Sequence, residues 1–389
     1  MHKLNTAIAS RINRSLVLSL IHENPHISRA QISARSGLDR STITHILNYL
    51  LKEKLVKESE KGKSSSRGGR CPIPLSVHYN ARTLAVIEVG MDTIQTQLTN
   101  LRGEEICRWS FPFKRGAPLI DLLSHQLDDM RKTAEKDFMK CVVIGISCPG
   151  IVDAHNGILR YNKYHRWRDV EIVAPLEAQL GKSVFVENDA NAAAVGELNH
   201  SEGVEHRSLL YLLIRNAPPE SEQILGVGGA IIFNGRLWHG VNYFAGEVAD
   251  TVNEIFSRGS VRAWRDKTSQ LLGIQKRTLK YLLESAARNE PDAVAAADEI
   301  GEGLGRFMAE TAAFFDPGSI MIYVNLRQDG YDLIEKAKAS FKQHVPAFYS
   351  GTCFLSPVLN EAAILRGLIA LAQERVFVRD GIHHSLLFQ

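Results

Sequence analysis

The spacing of apolar residues changes near residue 80, and that change decides what this 389-residue chain can fold into. Before it the period is helical. Ile12, Leu16, Val17, Leu20 and Ile21 recur at helix spacing until Asn24-Pro25 interrupts them. Ser28 is placed to cap a second helix that stops at Gly37. Asp39 or Ser41 caps a third, from about residue 42 to 54, with Ile43, Ile46, Leu47, Leu50 and Leu51 on one side. From Leu84 onward, short buried strands alternate with helices: strands over 84–89, 95–101 and 106–111, a helix over 120–136, and strands over 141–147 and 184–187. Further strands are expected over 209–214, 229–233 and 319–324, with one long helical stretch over 260–315. The first 80 residues therefore form a helical head, and residues 81–389 an α/β body.

Charge divides at the same place. Residues 1–80 carry thirteen Lys or Arg against five Asp or Glu, a balance of +8, so the remaining 309 residues carry −5 of the overall +3. A basic head on a mildly acidic body predicts a polyanion partner for the head alone. No uncharged apolar run approaches the ~18 residues of a membrane span, and Met1-His2-Lys3-Leu4-Asn5 lacks the apolar stretch of an export signal. A cytoplasmic protein with no membrane partner is expected. Five cysteines (71, 107, 141, 148, 353) form no CxxC pair, which fits reduced thiols rather than a disulfide framework or a zinc site.

Two short helices joined at Ser36-Gly37-Leu38-Asp39 make a helix-turn-helix, with the glycine where the chain reverses at positive φ. The polar side of the third helix offers Arg40, Ser41, Thr42, Thr44, His45 and Asn48, groups that can read base edges in a major groove. Ser28, Arg29 and Gln31 at the start of the second helix join them as candidate DNA contacts. Strand-like residues 55–58 and 73–77 bracket a basic, glycine-rich stretch containing Lys61, Lys63, Arg67, Gly68, Gly69 and Arg70. That is the layout of a β-wing with salt-dependent phosphate contacts. The expected partner is a duplex operator, pseudo-palindromic if two heads act together.

In the body, three segments carry a resemblance: Gly145-Ile146-Ser147-Cys148-Pro149-Gly150-Ile151-Val152-Asp153, Val186-Glu187-Asn188-Asp189-Ala190-Asn191-Ala192-Ala193, and Gly226-Val227-Gly228-Gly229-Ala230-Ile231-Ile232-Phe233-Asn234-Gly235. Ala245-Gly246-Glu247 and Phe315-Asp316-Pro317 follow in order. With these residues the chain resembles the ROK family of repressors and sugar kinases. Ile27-Ser28-Arg29-Ala30-Gln31-Ile32 and Arg67-Gly68-Gly69-Arg70 resemble the heads of that family's repressors.

The resemblance implies a winged helix-turn-helix followed by a two-lobed, actin-like (ribonuclease H-like) sugar kinase fold. The smaller lobe would comprise about residues 81–195 plus a C-terminal helix at about 360–389, and the larger lobe about 196–359. It also implies a sugar between the lobes, contacted by Gly150, Asn188, Asp189, Glu247, Asp250 and Glu254. In the family's kinases the aspartate matching Asp189 is the general base. Independently of the family, an amide and a carboxylate at a strand-to-helix turn suit vicinal hydroxyls; an Asn-Asp helix cap accounts for the same residues.

Departures from the family point away from catalysis. The kinases' Asp-x-Gly-(Gly/Ala)-Thr phosphate turn is here Glu88-Val89-Gly90-Met91-Asp92-Thr93, with a bulky Met91 and an added anion. The second phosphate loop is replaced by Arg215-Asn216-Ala217-Pro218-Pro219-Glu220-Ser221-Glu222-Gln223, and the later Gly-Gly by Val324-Asn325. No cysteine lies between Cys148 and Cys353, so the family's Cys₃His zinc site cannot be assembled. Hence no metal, cofactor or catalytic residue is expected. The expected function is a sugar-responsive regulator, a repressor released by a carbohydrate and acting as a homodimer or dimer of dimers. The alternatives are a head-fused sugar kinase using Asp189 and a ligand-independent platform for other proteins.

Overall fold

The computed structural model describes residues 6–58, 73–201, 208–216, 225–248, 252, 259–273, 278–324, 331–347, 349, 351–377 and 387. Contacts divide the chain into two units, one of Met1–Cys148, Ala154–Glu187 and Leu368–Gln389, the other of Pro149–Asp153 and Asn188–Gly367.

The head opens the first unit with α1 (Thr6–Glu23), α2 (Arg29–Ser36) and α3 (Arg40–Lys52). Ser28 and Gln31 cap α2 reciprocally: the Gln31 backbone N–H donates to Ser28 Oγ, and the Ser28 N–H donates to Gln31 Oε1. Gly37 leaves α2 at φ 71°. Asp39, rather than Ser41, caps α3, accepting from the backbone of Ser41 at 2.9 Å and of Thr42 at 2.8 Å. The Ser41 and Thr42 hydroxyls also donate to it, which holds its carboxyl well below the usual carboxylate range. Val17, Leu18, Ile21, Ile32, Ile43, Ile46, Leu47 and Leu50 close the small core. Strand β1 (Val56–Glu58) pairs antiparallel with β2 (Leu75–Val77), giving the base of a wing. Its tip, with Lys61, Lys63, Arg67, Gly68, Gly69 and Arg70, lies outside the described residues. Near the C-terminus Phe377 stacks on His22 of α1 at 3.9 Å, and the Tyr79 hydroxyl lies 3.3 Å from His22 Nδ1.

The body then runs β3 (Thr83–Val89), β4 (Thr93–Asn100), β5 (Glu105–Pro112), α4 (Leu119–Thr133), α5 (Glu135–Met139) and β6 (Cys141–Cys148). A small sheet follows, β7 (Ile151–Asp153), β8 (Ile158–Asn162) and β9 (Trp167–Glu171), then α6 (Val173–Leu180), β10 (Ser183–Asn188) and α7 (Asp189–His200). The second large sheet draws on β11 (Leu209–Asn216), β12 (Leu225–Phe233) and β13 (Arg236–Leu237), with α8 (Gly259–Leu272), α9 (Leu279–Ala287) and α10 (Pro291–Phe315) after them. The chain continues through β14 (Ser319–Val324), α11 (Leu333–His344), β15 (Cys353–Leu355) and α12 (Ala363–Val376).

The long helix expected over 260–315 is therefore three helices. Gly273 leaves α8 at φ 85°, and Pro291 starts α10 where its missing N–H costs no hydrogen bond.

The two large sheets share one plan. Their orders are β10-β6-β3-β4-β5 and β13-β12-β11-β14-β15. In each, an antiparallel run of three strands is joined along its first strand by a parallel fourth, β6 on β3 and β14 on β11. This is the duplicated ribonuclease H-like arrangement of the actin-like fold. In the second unit Leu210, Leu212 and Ile214 point from β11 into a core shared with α8, α9, α10 and α11. Gly301 and Gly305 let α10 approach α11, where an added Cβ would meet Lys336 and the Ala337 and Ser340 positions. These glycines serve helix packing.

Candidate functional site

Strand β10 passes into α7 through Asn188, which keeps extended backbone angles and caps the helix. Its Oδ1 accepts from the Asn191 N–H at 3.0 Å, and its Nδ2 donates to the Gly150 carbonyl at 2.9 Å. So the helix-cap reading holds for Asn188, and the same contacts bring Gly150 beside it. Asp189 is spent differently. Its Oδ1 accepts from the Ala190 N–H at 2.8 Å, and its Oδ2 accepts from Arg215 Nη1 at 2.8 Å.

Arg215 arrives from the last turn of the β11 alternation. With Leu210, Leu212 and Ile214 facing the core, period two turns Tyr211, Leu213 and Arg215 to the opposite side. There α7 lies close, since a Cβ on Gly228 of the neighbouring strand would stand 2.9 Å from the Ala190 Cβ. The ion pair is largely enclosed, with 21% of the Arg215 side chain and 10% of that of Asp189 exposed. Sequence reasoning read Arg215 only as the first residue of a replaced loop. The available signal was a cation at the end of a strand of apolar residues, which needs a carboxylate partner when enclosed.

Glu247 is set by a backbone contact. Gly229 N–H donates to the Gly246 carbonyl at 3.0 Å, and a side chain on Gly246, at φ 87°, would run into the Gly229 carbonyl. Glu247 is half-buried next to this contact, one strand residue away from the Gly228 position that meets Ala190. Asp250 and Glu254 lie outside the described residues. A carboxylate missed from sequence, Glu197, is fully buried on α7 and accepts from the backbone of Val358 (2.8 Å), Leu359 (3.0 Å) and Asn360 (3.2 Å). It organises the turn before α12. Among the described residues no three His, Cys, Asp or Glu side chains gather to hold a metal ion.

Where the kinases hold phosphate, residues 90–93 form a tight β3–β4 turn, with the Gly90 N–H donating to the Thr93 carbonyl at 2.9 Å. His165, 2% exposed, packs by this turn against Phe113 and Trp167, at centroid distances of 5.1 and 4.1 Å. The Gly116 N–H donates to its Nδ1 at 3.3 Å, which assigns the ring proton to Nε2. Burial pushes the His165 pKa down to about 4, against an opposing pull from the Gly90 backbone and from Asp92. Its unfolded value is near 6.5, so between pH 6.5 and 4 the unfolded chain takes a proton the folded chain refuses. Stability should therefore rise with pH across that window, by up to ~3 kcal/mol from this group. Urea midpoints measured from pH 4.5 to 7 should show a shallower rise in His165→Phe than in the wild type; an unchanged slope would remove His165 as its source.

On the head, Ser41, Thr44, His45 and Asn48 are exposed along one stripe of α3, with Arg40 exposed at its start and Thr42 half-buried. Arg40, His45 and Asn48 make no side-chain hydrogen bond among the described residues. Ser41 and Thr42 donate to Asp39, and Thr44 Oγ1 donates to the Arg40 carbonyl at 2.8 Å. Ser28 and Gln31 are engaged in their capping box, and Arg29 pairs with Glu58 of β1 at 3.0 Å. These contacts tie the start of α2 to its own first turn and to the base of the wing.

A winged helix-turn-helix joined to a duplicated, actin-like sugar-kinase body defines a DNA-binding regulator built on a carbohydrate-binding fold. Residues 84–375 match the ROK family and residues 10–57 a winged helix-turn-helix DNA-binding family. The chain belongs to the ROK family.

It is 28% identical over 346 residues to a protein described as a putative xylose repressor from Caldicellulosiruptor sp. (strain Rt8B.4), covering 82% of this chain and 84% of that one. It is 24% identical to the DNA-binding transcriptional repressor Mlc of Escherichia coli (strain K12), covering 87% of each. A solved ROK family transcriptional regulator, a homolog of E. coli Mlc, superposes with a TM-score of 0.76 over 97% of this chain and 98% of its own, at 20% identity. A ROK family glucokinase from Streptomyces griseus, in complex with glucose and AMPPNP, superposes with a TM-score of 0.56 over 74% of this chain and 98% of its own, also at 20% identity.

Proposed function

We propose that this chain is a sugar-responsive, DNA-binding transcriptional repressor whose body binds a carbohydrate and performs no phosphoryl transfer. The observation that carries the reading is the pair Asp189–Arg215. The site keeps a carboxylate and an amide suited to hydroxyls, yet the carboxylate that would serve as base is held by a guanidinium at 2.8 Å. Proton abstraction from a sugar hydroxyl would require Asp189 to give up that stabilisation. The tight turn at residues 90–93 and the proline- and glutamate-bearing sequence after Arg215 also lack the open glycine backbone that cradles phosphates. The cysteine ligands of the family's zinc site are missing from the sequence.

The repressor reading draws on the relatives, several of which are named xylose repressors. Asn188, Asp189 and Glu247 would contact the saccharide, with Gly150 holding Asn188, and Asp250 and Glu254 as further carboxylates from the adjoining sequence. Arg40, Ser41, Thr44, His45 and Asn48 would face the bases. Lys61, Lys63, Arg67 and Arg70 would follow the phosphates, with Gly68 and Gly69 giving the wing its close approach. Two heads of a homodimer, or of a dimer of dimers, would occupy half-sites of a pseudo-palindrome in the cytoplasm. Among the described residues no helix is long and apolar enough to cross a membrane. The effector shifts the DNA-bound population only as far as its affinities for the two states differ.

The test is operator binding by the full-length chain, using duplexes recovered by selection from a random pool, with and without a panel of free sugars. Arg67→Ala and Arg70→Ala are each expected to lower the slope of log K against log salt by about one unit. At least one sugar is expected to raise the melting temperature of the chain and weaken its DNA binding, with no sugar-dependent release of ADP from ATP. A panel that changes neither quantity would sink the effector part of the proposal.

A further inference from the structure

We propose that two neighbouring basic segments of the first unit form a docking surface for an acidic segment of a partner protein. They are residues 113–117, between β5 and α4, and residues 160–168 of the β8–β9 hairpin. This partner is distinct from the operator and from the sugar.

The surface stands out by its charge. Its fourteen residues carry six Lys or Arg and no Asp or Glu, in a body whose balance is −5. Arg160 pairs with Asp169 at 3.4 Å. Lys114, Arg115, Lys163, Arg166 and Arg168 are all exposed and make no ion pair among the described residues. The acids next to these segments in the chain and on the β3–β4 turn, Asp92, Asp121, Asp169 and Glu171, still leave an excess of cations. Like charges so placed repel, and an approaching carboxylate relieves that repulsion.

The arginines are also held in place. Arg115 Nε donates to the Tyr164 carbonyl at 2.7 Å, and its guanidinium lies 4.7 Å from the Tyr164 ring centre. Arg168 lies 5.5 Å over the ring of Tyr161, its cross-strand partner. Trp167 Nε1 donates to the Ala117 carbonyl at 2.9 Å, and the His165 ring stacks on Phe113, so the hairpin is tied to the β5–α4 segment. A guanidinium fixed in this way gives up less freedom on binding, and its planar fork matches a carboxylate.

Two observations favour a protein over the duplex. Tyrosine and arginine together are the residues enriched at the centre of protein–protein interfaces, whereas phosphate contacts need no aromatic ring. The second is place. The head joins the body just before Thr83 of β3, while the Phe113 N–H donates to the Asp92 carbonyl beyond the other end of that strand. Seven residues of strand span roughly 20 Å, so the surface lies at the end of β3 remote from the head.

The test is fluorescence anisotropy of the full chain with a labelled peptide of twelve alternating glutamates and aspartates, against its glutamine–asparagine counterpart. It is run on the wild type and on the wing variant Arg67→Ala/Arg70→Ala, which weakens any contribution from the head. The acidic peptide is expected to bind both proteins, with the neutral one at least about tenfold weaker. Adding Lys163→Glu and Arg166→Glu should lower the acidic peptide's affinity at least about tenfold in either background, with operator binding unchanged. Lys163→Gln with Arg166→Gln provides the same reading if the reversed pair does not fold. Tyr164→Ser, which alters no charge, should cost at least about threefold by releasing Arg115; no loss would overturn the part assigned to the stacks. The proposal is overturned if the peptide does not bind, if the hairpin variants bind it unchanged, or if the wing variant alone abolishes binding. Loss of operator affinity in the hairpin variants would assign the surface to DNA instead, and a change in their sedimentation mass would assign it to a second copy of the chain.

Discussion

Gly367→Ala is expected to be among the most destabilising single substitutions in the second unit, although it adds one methyl group. Helices α7 and α12 cross there through glycines, and the added Cβ would run into the Ala192 carbonyl oxygen. Across the contact, a Cβ on Gly196 would run into the Ala363 carbonyl. Both obstacles are backbone, so no rotamer change relieves them and the helices must part. Overpacking of a tight contact costs typically ~1–3 kcal/mol and occasionally more; here the upper end applies, because the neighbour cannot bend away. A fall in melting temperature of roughly 6–12 °C follows for a unit of this size. Gly226→Ala is the control, since nothing lies within 4 Å of its added Cβ, and it should remain within ~0.5 kcal/mol of wild type. Equal melting temperatures for the two variants would refute the close crossing. Because α7 begins with Asn188 and Asp189, Gly367→Ala should also weaken sugar binding in the surviving folded protein.

The second large effect is on DNA. Replacing Arg40, His45 and Asn48 together by alanine should abolish discrimination between the selected operator and random duplex while leaving the head folded. Each is exposed and makes no side-chain hydrogen bond among the described residues, so the fold of the head does not depend on them. A side chain bonded well to a base edge contributes ~1–3 kcal/mol of discrimination, roughly tenfold to a hundredfold in affinity. Fluorescence anisotropy at fixed salt, on the operator and on random DNA, separates that loss from the phosphate contacts, which weaken both duplexes alike. Full discrimination retained in the triple variant would move recognition away from this stripe. Leu47→Ala should show the opposite pattern. Leu47 is fully buried in the core of the head, so the fold itself should weaken, by ~2–5 kcal/mol.

Legibility from sequence was uneven, for identifiable reasons. The head could be read because its signals are local: Ser28 and Gln31, Gly37 and Asp39 each act within four residues of where they stand. Asp39 rather than Ser41 proved to be the cap because the carboxylate reaches two backbone amides and two hydroxyls at once. The strands of the body were legible as apolar runs, but the boundaries within residues 260–315 were not. Gly273 and Pro291 punctuate a pattern that stays helical on either side, so periodicity ran through them. In the site, Asn188 and Asp189 were visible as residue types at a strand-to-helix turn, whereas their partners were not. Arg215 stands 26 residues from Asp189 and Glu197 more than 160 from the backbone it binds, distances over which no local pattern operates.

The amino-acid sequence by itself determined the class of each part: a basic, helical head of DNA-binding type, an α/β body with an amide and a carboxylate at a strand-to-helix turn, and segments that depart from the family's phosphate and zinc motifs. Composition, capping and apolar period are properties of neighbouring residues, and they survive without knowledge of the fold. The tertiary structure alone decided what the carboxylates do. It gave the two sheets one shared topology and spent Glu197 on a turn. It also paired Asp189 with a guanidinium from another strand, because an enclosed charge must find its counterion wherever packing brings one, and packing is not written in local spacing.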